Sequence, residues 1–404
     1  MQGERVRSLA YLAALRGVRS VSAGIIFVVF PYIAKEVLHL SLFSLGIIYA
    51  TAGAATAALS IVVGYMADLL GRKSSLYVAS ALLVLTPLVM LVRMSVMTAL
   101  ASAILGGISA TGAMGAGGVG GVVGPVQNVI VADLSEGTGR TRVISLISFM
   151  GSVAAAAGTL IGGYLGYRDE LAISSLIAAG AMALIPPIRL PGVRARSMSM
   201  RSTRNALKFS VTGLMNGLTN GLTVPFIVPI FIYVYHAPRS LTSDVVTAAS
   251  LLATSSMLAA PWLERRLGFL RSITITRALT IPIMLAFPFA GSFWAAAALY
   301  LTYPMLRVIA IPVQQSFLLE LTPAEERGRV SGYNQGSRLL FSSVGTFAAS
   351  PFFDTGSAPA VPMYSIPFLI YAGLMGLNVY MYWRFFSADE ARLASRRSMP
   401  VVGE

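Results

Sequence analysis

Long apolar runs separated by short polar stretches repeat along the whole chain. Crossing a hydrocarbon core of about 30 Å takes about 20 helical residues, so runs of this length predict membrane-spanning helices. Twelve such runs occur, at residues 9–34, 42–66, 74–93, 97–132, 143–166, 171–188, 207–235, 242–263, 272–291, 293–319, 331–353 and 362–386. The first run is too long for the apolar part of a signal peptide, and we expect it to be retained. The pattern predicts an all-α polytopic membrane protein with twelve transmembrane helices.

Composition supports a membrane protein and narrows the chemistry. Apolar residues make up 56% of the chain and charged residues 11%, whereas about a quarter of the residues of an average soluble domain are charged. Cysteine is absent and there are two histidines, which excludes disulfides and argues against Cys or His metal clusters. We therefore expect no cofactor.

The distribution of positive charge predicts the orientation. With the N-terminus inside, most Lys and Arg residues fall in cytoplasmic segments, and four fall on the other side: Lys35, Arg93, Arg168 and Arg239. Cytoplasmic loops retain such charges, so we expect both termini in the cytoplasm and the protein in the plasma or inner membrane. This asymmetry accounts for the net charge of +14 without a nucleic-acid partner.

Two segments about half a chain apart are similar in sequence. Residues 125–145 read PVQNVIVADLSEGTGRTRVIS, and residues 312–332 read PVQQSFLLELTPAEERGRVSG. Continuing the alignment without a gap pairs Gly158-Thr159 with Gly345-Thr346. A duplication in a twelve-helix chain predicts two pseudo-symmetric six-helix bundles, residues 1–188 and 209–404, joined by a basic cytoplasmic linker at 189–208.

The loop between the second and third predicted spans carries a recognisable pattern. Residues 64–76 read GYMADLLGRKSSL, in which an acid near a helix end can pair with the cations after a tight glycine turn or with a neighbouring helix terminus. A solvated turn that obeys the positive-inside rule is the alternative. The pattern resembles the signature loop of the major facilitator superfamily, G-x-x-x-D-x-x-G-R-K/R. The resemblance implies that superfamily's fold and a role in conformational gating for Gly64, Asp68, Gly71, Arg72 and Lys73.

The resemblance continues at the end of the fourth span. There the superfamily has a Gly-rich stretch, Pro, Ala-Asp and an Arg-Gly-Arg loop, and this chain matches it at Gly117, Pro125, Ala132, Asp133, Arg140 and Arg142. We expect gating roles for Asp133, Arg140 and Arg142 and for their repeat partners Glu320, Arg327 and Arg329. Two departures from the superfamily pattern argue against proton-driven drug antiport. This chain has Ala113 where the superfamily has an arginine in the fourth span, and it has Thr159 where the superfamily's antiporter motif has a proline.

Charged residues within the spans are the strongest functional signal. An ionised side chain at the bilayer centre costs about 2.5–3.5 kcal/mol, so it usually faces a cavity or a partner. Arg19 and Arg307 lie deepest, whereas no Asp or Glu lies in the central part of a span. We expect Arg19 and Arg307 to line a central cavity and bind an anionic or strongly polar solute; carbonyls freed near prolines are an alternative partner for Arg307. Three further arginines lie nearer the span ends: Arg16, Arg277 and Arg338. Each can either extend its charged group to the membrane surface or have a functional role.

Uncharged polar residues add further cavity candidates. A stripe on the seventh span, at Thr212, Asn216, Thr219, Asn220 and Thr223, has helical spacing and predicts either cavity lining or bonding between helices. Four amides lie near the cytoplasmic ends of the fourth and tenth spans, where they are expected either to line an exit vestibule or to form hydrogen bonds between helices: Gln127, Asn128, Gln314 and Gln315. The expected substrate-binding set is Arg19, Arg307, Asn216, Asn220, Thr212, Gln127 and Gln314.

Together these features predict a secondary active or facilitative transporter that moves a small polar or anionic solute by alternating access. The alternative is a multidrug exporter driven by proton antiport, with an apolar cavity rich in methionine (Met90, Met94, Met114, Met215, Met284 and Met305). An enzyme is not expected, since no paired acids or nucleophile with a base share one depth. The GxGxxG at Gly115, Gly117 and Gly120 follows no strand, so it indicates helix packing rather than nucleotide binding. We expect the solute and the lipid bilayer as partners, no nucleic acid or nucleotide, and a monomer.

Overall fold

The computed structural model describes residues 2–106, 108, 122–134, 140–189, 203–323, 326–353 and 363–398. Within these ranges the regular structure is helical, as the apolar pattern predicts, and no strand occurs there. The α-helices are α1 (Gln2–Tyr32), α2 (Leu42–Leu69), α3 (Arg72–Val92), α4 (Val96–Ile104), α5 (Gly124–Leu134), α6 (Arg140–Ile161), α7 (Tyr167–Met182), α8 (Thr203–Tyr233), α9 (Arg239–Leu258), α10 (Ala260–Ala286), α11 (Phe293–Glu320), α12 (Arg327–Ala349) and α13 (Ser365–Ser398). A π-helical turn, Ile33–Val37, extends α1, and 3-10 turns at Phe287–Phe289 and Ser350–Phe353 extend α10 and α12.

Nine helices in the described ranges are long and apolar enough to cross a membrane. The predicted fourth span lies partly outside those ranges, where the GxGxxG also falls. The sixth overlaps α7, which has only 16 residues and begins four residues earlier, at Tyr167, and the eleventh overlaps α12, which is rich in polar residues. The all-α membrane class is confirmed, and the count of twelve spans stays a prediction. Helix α8 begins at Thr203, so the last residues of the predicted linker are helical.

Glycines allow two helix pairs to approach closely, one in each half of the chain. A Cβ on Gly158 of α6 would meet the backbone oxygen of Val21 on α1, and a Cβ on Gly345 of α12 would meet that of Leu218 on α8. Small residues let membrane helices pack backbone against backbone. Gly158 and Gly345, which the sequence repeat aligns, thus make the same kind of contact in the α1/α6 and α8/α12 pairs.

The two halves of the chain meet along two helix pairs, α2 with α12 and α6 with α9. In the first pair, Ser343 donates to the backbone oxygen of Ala50, and the hydroxyls of Tyr65 and Tyr333 lie 2.6 Å apart. In the second, the hydroxyls of Thr159 and Thr247 lie 2.9 Å apart. These contacts place the bundle interior between the two pairs.

One end of the bundle, which we call the Arg239 end, is formed by residues 33–41, 162–170 and 234–244. Here Tyr32 Oη donates to Thr242 Oγ1 at 2.8 Å, and Lys35 Nζ donates to the backbone oxygen of Ile232 at 2.8 Å. Next to these bonds, on the side of the bundle interior, buried side chains from both halves form a continuous apolar core that includes Val29, Ile33, Ile227 and Phe231. The Arg239 end is therefore closed. The opposite end, which carries the turn at Gly71, is called the Gly71 end.

Candidate functional site

A polar cavity of about 60 Å³ lies within the second half of the chain. Since one water needs about 10–15 Å³ on this measure, the cavity holds a few waters or one small solute. Five helices line it: α8, α10, α11, α12 and α13. Its polar lining residues are Asn216, Asn220, Arg277, Thr280, Arg307, Gln314, Gln315, Asn334, Gln335, Arg338 and Tyr371.

Three guanidinium groups, from Arg277 on α10, Arg307 on α11 and Arg338 on α12, line this one cavity. The charges of Arg307 and Arg277 act on Arg338 as like charges. No Asp or Glu is found among the described residues that line it. The cavity is therefore strongly positive. Arg277 and Arg338, for which the sequence left snorkelling open, belong to it together with Arg307.

Arg277 is held in place by amide oxygens and an aromatic ring. Its Nη1 donates to Asn378 Oδ1 at 2.6 Å and its Nη2 to Gln314 Oε1 at 2.8 Å. Its guanidinium carbon lies 4.4 Å from the centre of the Tyr382 ring, within the range of a cation–π contact. These contacts fix the orientation of the cation but do not neutralise it.

Arg338 fixes one of the amides of the cavity. Its Nη2 donates to Gln335 Oε1 at 2.6 Å. Arginine can only donate, so the amide oxygen of Gln335 must face Arg338 and its Nε2 must face away. The orientation of the Gln335 amide is thereby assigned by its partner.

Three buried polar atoms of the cavity residues have no hydrogen-bond partner among the described residues: Arg307 Nη1, Gln335 Nε2 and Gln315 Oε1. Arg307 lies between Pro304 and Pro312 on α11, and these prolines remove two backbone donors from the helix. A buried polar atom without a partner costs about 1–3 kcal/mol. All three atoms belong to side chains that line this cavity, so its lining has hydrogen-bonding capacity that the described residues leave unused.

Some residues of the polar stripe on α8 line the cavity, and others form hydrogen bonds within the helix or to a neighbouring helix. Asn216 and Asn220 line the cavity, and Asn220 Nδ2 donates to Asn216 Oδ1 at 2.8 Å. Asn220 also accepts from Tyr303 Oη at 3.1 Å, which links α8 to α11. Thr212 and Thr219 donate to backbone oxygens of their own helix. The stripe therefore serves both the cavity and helix packing.

Arg19 lies apart from this cavity. It is buried on α1, and its Nη2 donates to the backbone oxygen of Ala79 on α3 at 3.2 Å. It borders a gap of about 10 Å³, room for about one water, lined also by Leu82, Leu83 and Leu105. Gln127 is buried on α5 and is not among the cavity residues. The structure does not bring Arg19 or Gln127 to Arg307, and a role for them in solute binding stays a prediction.

The structure describes the positions of some of the expected gating residues. Gly71 has a φ of 99° and precedes α3, whose first residue, Arg72, is buried. Lys73 Nζ donates to the backbone oxygen of Pro186 at 2.6 Å.

Gly64 lies against Gly332, so α2 and α12 are close at the Gly71 end. Glu320 is exposed at the end of α11 and Arg327 is buried at the start of α12. The side chains of Asp68, Asp133, Arg140, Arg142 and Arg329 lie outside the described residues.

The sequence did not single out a charged cluster at the Arg239 end. Arg239 Nη1 lies 3.3 Å from Glu170 Oε2, and Glu170 has an exposed fraction of 0%. Arg239 also donates to the backbone oxygen of Leu165 and lies 4.7 Å from the centre of the Tyr167 ring. In the sequence, Arg239 is one of four basic residues outside the predicted cytoplasmic segments, and nothing there distinguishes it from the other three.

Glu170 precedes the sixth predicted span. Burial raises the pKa of its carboxyl to about 7, and Arg239 and the backbone N–H of Leu165 oppose that shift. The Leu165 N–H donates to Glu170 Oε1 at 3.1 Å. Arg239 engages the carboxylate through one nitrogen only, so the ion pair does not offset the full cost of burial.

Solved structures of transporters resemble this chain over most of its length. The human organic anion transporter MFSD10 (TETRAN) matches with a TM-score of 0.71 at 16% identity, over 94% of this chain and 99% of that one. A D-xylose-proton symporter matches with a TM-score of 0.72 at 16% identity, over 94% and 98%. A point mutant of the nucleoside transporter NupG matches with a TM-score of 0.69 at 12% identity, over 94% and 100%. At these identities the likeness concerns the fold.

No curated protein matches the sequence. The family model described as Major Facilitator Superfamily, in contrast, matches residues 12–346, which is most of the chain. The resemblance based on residues 64–76 is thus confirmed. The chain belongs to the major facilitator superfamily and is a multi-pass membrane transporter.

Proposed function

We propose that this transporter moves a small anionic solute, which binds in the cavity formed by Arg277, Arg307 and Arg338. The supporting observation is the convergence of three cations on one cavity with no carboxylate among its described lining residues. Buried charges are costly unless a partner offsets them. A bound anion is the partner that the arrangement lacks.

The structural neighbours are compatible with this proposal but do not select the solute. One is named as an organic anion transporter, the others as a nucleoside transporter and a D-xylose-proton symporter. Superfolds host many substrates, so the solute class has to be argued from the cavity. The three arginines favour an anion over a neutral sugar or nucleoside.

We infer that the Gly71 end faces the cytoplasm. Arg72 and Lys73 lie there, together with Arg265 and Arg266 in the first part of α10, and such charges remain on the cytoplasmic side. The cavity residues Gln314, Gln315 and Leu318 belong to the part of α11 nearer that end. The closed Arg239 end would then be external. In this proposal the chain spans the plasma or inner membrane as a monomer, with both termini inside.

Transport follows from relative motion of the two predicted bundles, residues 1–188 and 209–404. Opening of the Arg239 end would separate α1 and α7 from α8 and α9, while the Gly71 end closes. We assign gating roles at that end to the loop of Gly64, Asp68, Gly71, Arg72 and Lys73. We assign the same role to charged residues in the two repeat-related segments at the ends of the fourth and tenth spans: Asp133, Arg140, Arg142, Glu320, Arg327 and Arg329.

The alternative of a proton-driven drug exporter is less well supported. A proton antiporter needs a titratable group that meets the solute pathway, and no carboxylate lines the cavity within the part of the chain that is described. Met375 is the methionine that lines it there. Met90 and Met284, which the sequence suggested for an apolar cavity, are buried in the core.

Ligand-induced stabilisation tests the proposal. A ligand that binds only the native state raises the melting temperature, and the purified protein can be scanned against carboxylates, phosphates, sugars and cationic drugs. We expect stabilisation by anions, its loss in Arg307→Gln, and its retention in Thr302→Ala, an exposed position on the same helix. Stabilisation by cationic drugs instead of anions, or an unchanged response in Arg307→Gln, would contradict the proposal.

A further inference from the structure

The unpartnered atoms of the cavity differ in what they require from a ligand. Arg307 Nη1 and Gln335 Nε2 are donors, whereas Gln315 Oε1 is an acceptor, and none of these atoms is hydrogen-bonded to another described residue. All three side chains line the same cavity. Donors are satisfied by the oxygens of an anion. An acceptor is satisfied only by an O–H or N–H group.

The assignment of donors and acceptors rests on neighbouring bonds. Arg307 has donors only. The amide of Gln335 is oriented by Arg338, which donates to its oxygen at 2.6 Å. Gln315 follows Gln314, whose oxygen is already used by Arg277. Of the two adjacent glutamine oxygens, Gln315 Oε1 is the one that is buried without a hydrogen-bond partner among the described residues.

We propose that the transported solute is an oxyanion that also carries a hydrogen-bond donor, such as a hydroxycarboxylate or a hydrogen phosphate. Its anionic oxygens bind Arg307 and Gln335, and its donor binds Gln315 Oε1. This inference rests on the proposed function, since it names the solute class of the same cavity. It excludes halides, nitrate and sulfate as preferred solutes, because they bring no donor at neutral pH.

The size of the cavity limits the candidates further. A volume of about 60 Å³ is well below the roughly 300–1,000 Å³ of pockets for drug-sized ligands. Small oxyanions of a few heavy atoms fit this volume. A three-carbon hydroxyacid and inorganic phosphate are therefore suitable probes.

The test uses two pairs of anions that differ mainly in the donor: phosphate with sulfate, and L-lactate with propionate. Dissociation constants are measured on the purified full chain at neutral pH for the parent, Gln315→Leu and Thr302→Ala. One neutral hydrogen bond to a buried acceptor corresponds to about a ten-fold difference in affinity. We expect phosphate over sulfate or lactate over propionate by about that factor in the parent and in Thr302→Ala, and near-equal affinities in Gln315→Leu.

The outcomes separate the two proposals. Anions that bind equally well with and without a donor, or a donor preference that survives in Gln315→Leu, would overturn this inference and leave anion transport standing. Failure of all four anions to bind the parent would overturn both. Circular dichroism and the melting temperature of Gln315→Leu without ligand show whether that variant is folded.

Discussion

Glu170 on α7 and Arg239 on α9 form an ion pair of 3.3 Å that joins the two halves of the chain at the Arg239 end. The carboxylate is fully buried, and the guanidinium also contacts Leu165 and Tyr167. Two neighbouring contacts cross the same boundary: Tyr164 Oη to Asp244 Oδ1 at 2.9 Å and Ser243 Oγ to the backbone oxygen of Thr159 at 2.6 Å. The Arg239 end is thus closed by polar contacts around one buried acid.

Removal of the cation should favour opening of this end. We expect Arg239→Ala to expose position 243, because Glu170 would be left buried without its cation, which is strongly destabilising. The chain has no cysteine, so Ser243→Cys in the purified protein can be labelled with a water-soluble maleimide without background. Labelling should be several-fold faster with Arg239→Ala than without it.

Arg168→Ala is the matched control, since Arg168 is exposed in the same segment. Equal labelling rates in Arg239→Ala and Arg168→Ala would show that the ion pair does not hold this end closed.

The buried acid also predicts a pH dependence. Burial raises the pKa of Glu170 to about 7, with Arg239 opposing and Asp169 adding to the rise. In an open, solvated gate the pKa returns towards its usual lower range, so the closed form binds the proton more tightly. Acidification through about pH 7 therefore stabilises the closed form, and this stabilisation is lost as the pH rises.

The measurement is the labelling rate of Ser243→Cys between mildly alkaline and mildly acidic pH, divided by the rate in the Glu170→Gln background. This ratio cancels the titration of the thiol itself. We expect this ratio to fall towards unity on acidification, because protonated Glu170 is then uncharged like the glutamine. A ratio independent of pH would rule out titration of Glu170 in this range.

The turn before α3 should disfavour a side chain at Gly71. Gly71 has a φ of 99°, and a Cβ there would meet no atom within 4 Å. The cost of Gly71→Ala is therefore conformational, about 1–3 kcal/mol, rather than steric. We expect a lower melting temperature for Gly71→Ala.

Gly373→Ala serves as the comparison, because Gly373 lies within α13 and its Cβ would also meet open space. Alanine is the better helix former, so this variant should be neutral or more stable. A melting temperature of Gly71→Ala as high as that of Gly373→Ala would disprove the strained turn.

Close packing of α8 on α12 should matter for the cavity. A Cβ on Gly217 would meet the backbone oxygen of Arg338, and backbone atoms cannot turn away as a side chain does. We expect Gly217→Ala to cost about 1–3 kcal/mol of stability and to weaken anion binding, since Arg338 would be displaced. Both quantities are read from melting curves with and without phosphate, and unchanged binding would separate this contact from the cavity.

The sequence predicted the membrane class and part of the cavity because both depend on local signals. Apolar run length predicts helices, and the depth of Arg307 in a span predicts a polar surrounding. The grouping of Arg277 and Arg338 with Arg307 was not predictable, since it depends on how α10, α11 and α12 pack. Arg19 appeared equivalent to Arg307 by depth alone, yet α1 turns it towards Ala79 of α3.

The ion pair of Glu170 with Arg239 was missed for a related reason. The two residues lie 69 positions apart, at the ends of predicted spans, where single charges are common and usually solvated. Glu170 is buried where segments of both halves meet, next to Leu165 of its own half and Arg239 of the other. By contrast, the family could be recognised because Gly64, Asp68, Gly71, Arg72 and Lys73 lie within one short stretch of sequence.

The central claim is that Arg307 binds an anionic solute during transport. The most direct test is uptake of labelled phosphate and L-lactate into proteoliposomes that contain the parent, Arg307→Gln or Thr302→Ala. We predict uptake of at least one of these anions by the parent and by Thr302→Ala, and loss of that uptake in Arg307→Gln. Uptake by Arg307→Gln at the rate and with the anion preference of the parent would contradict the account.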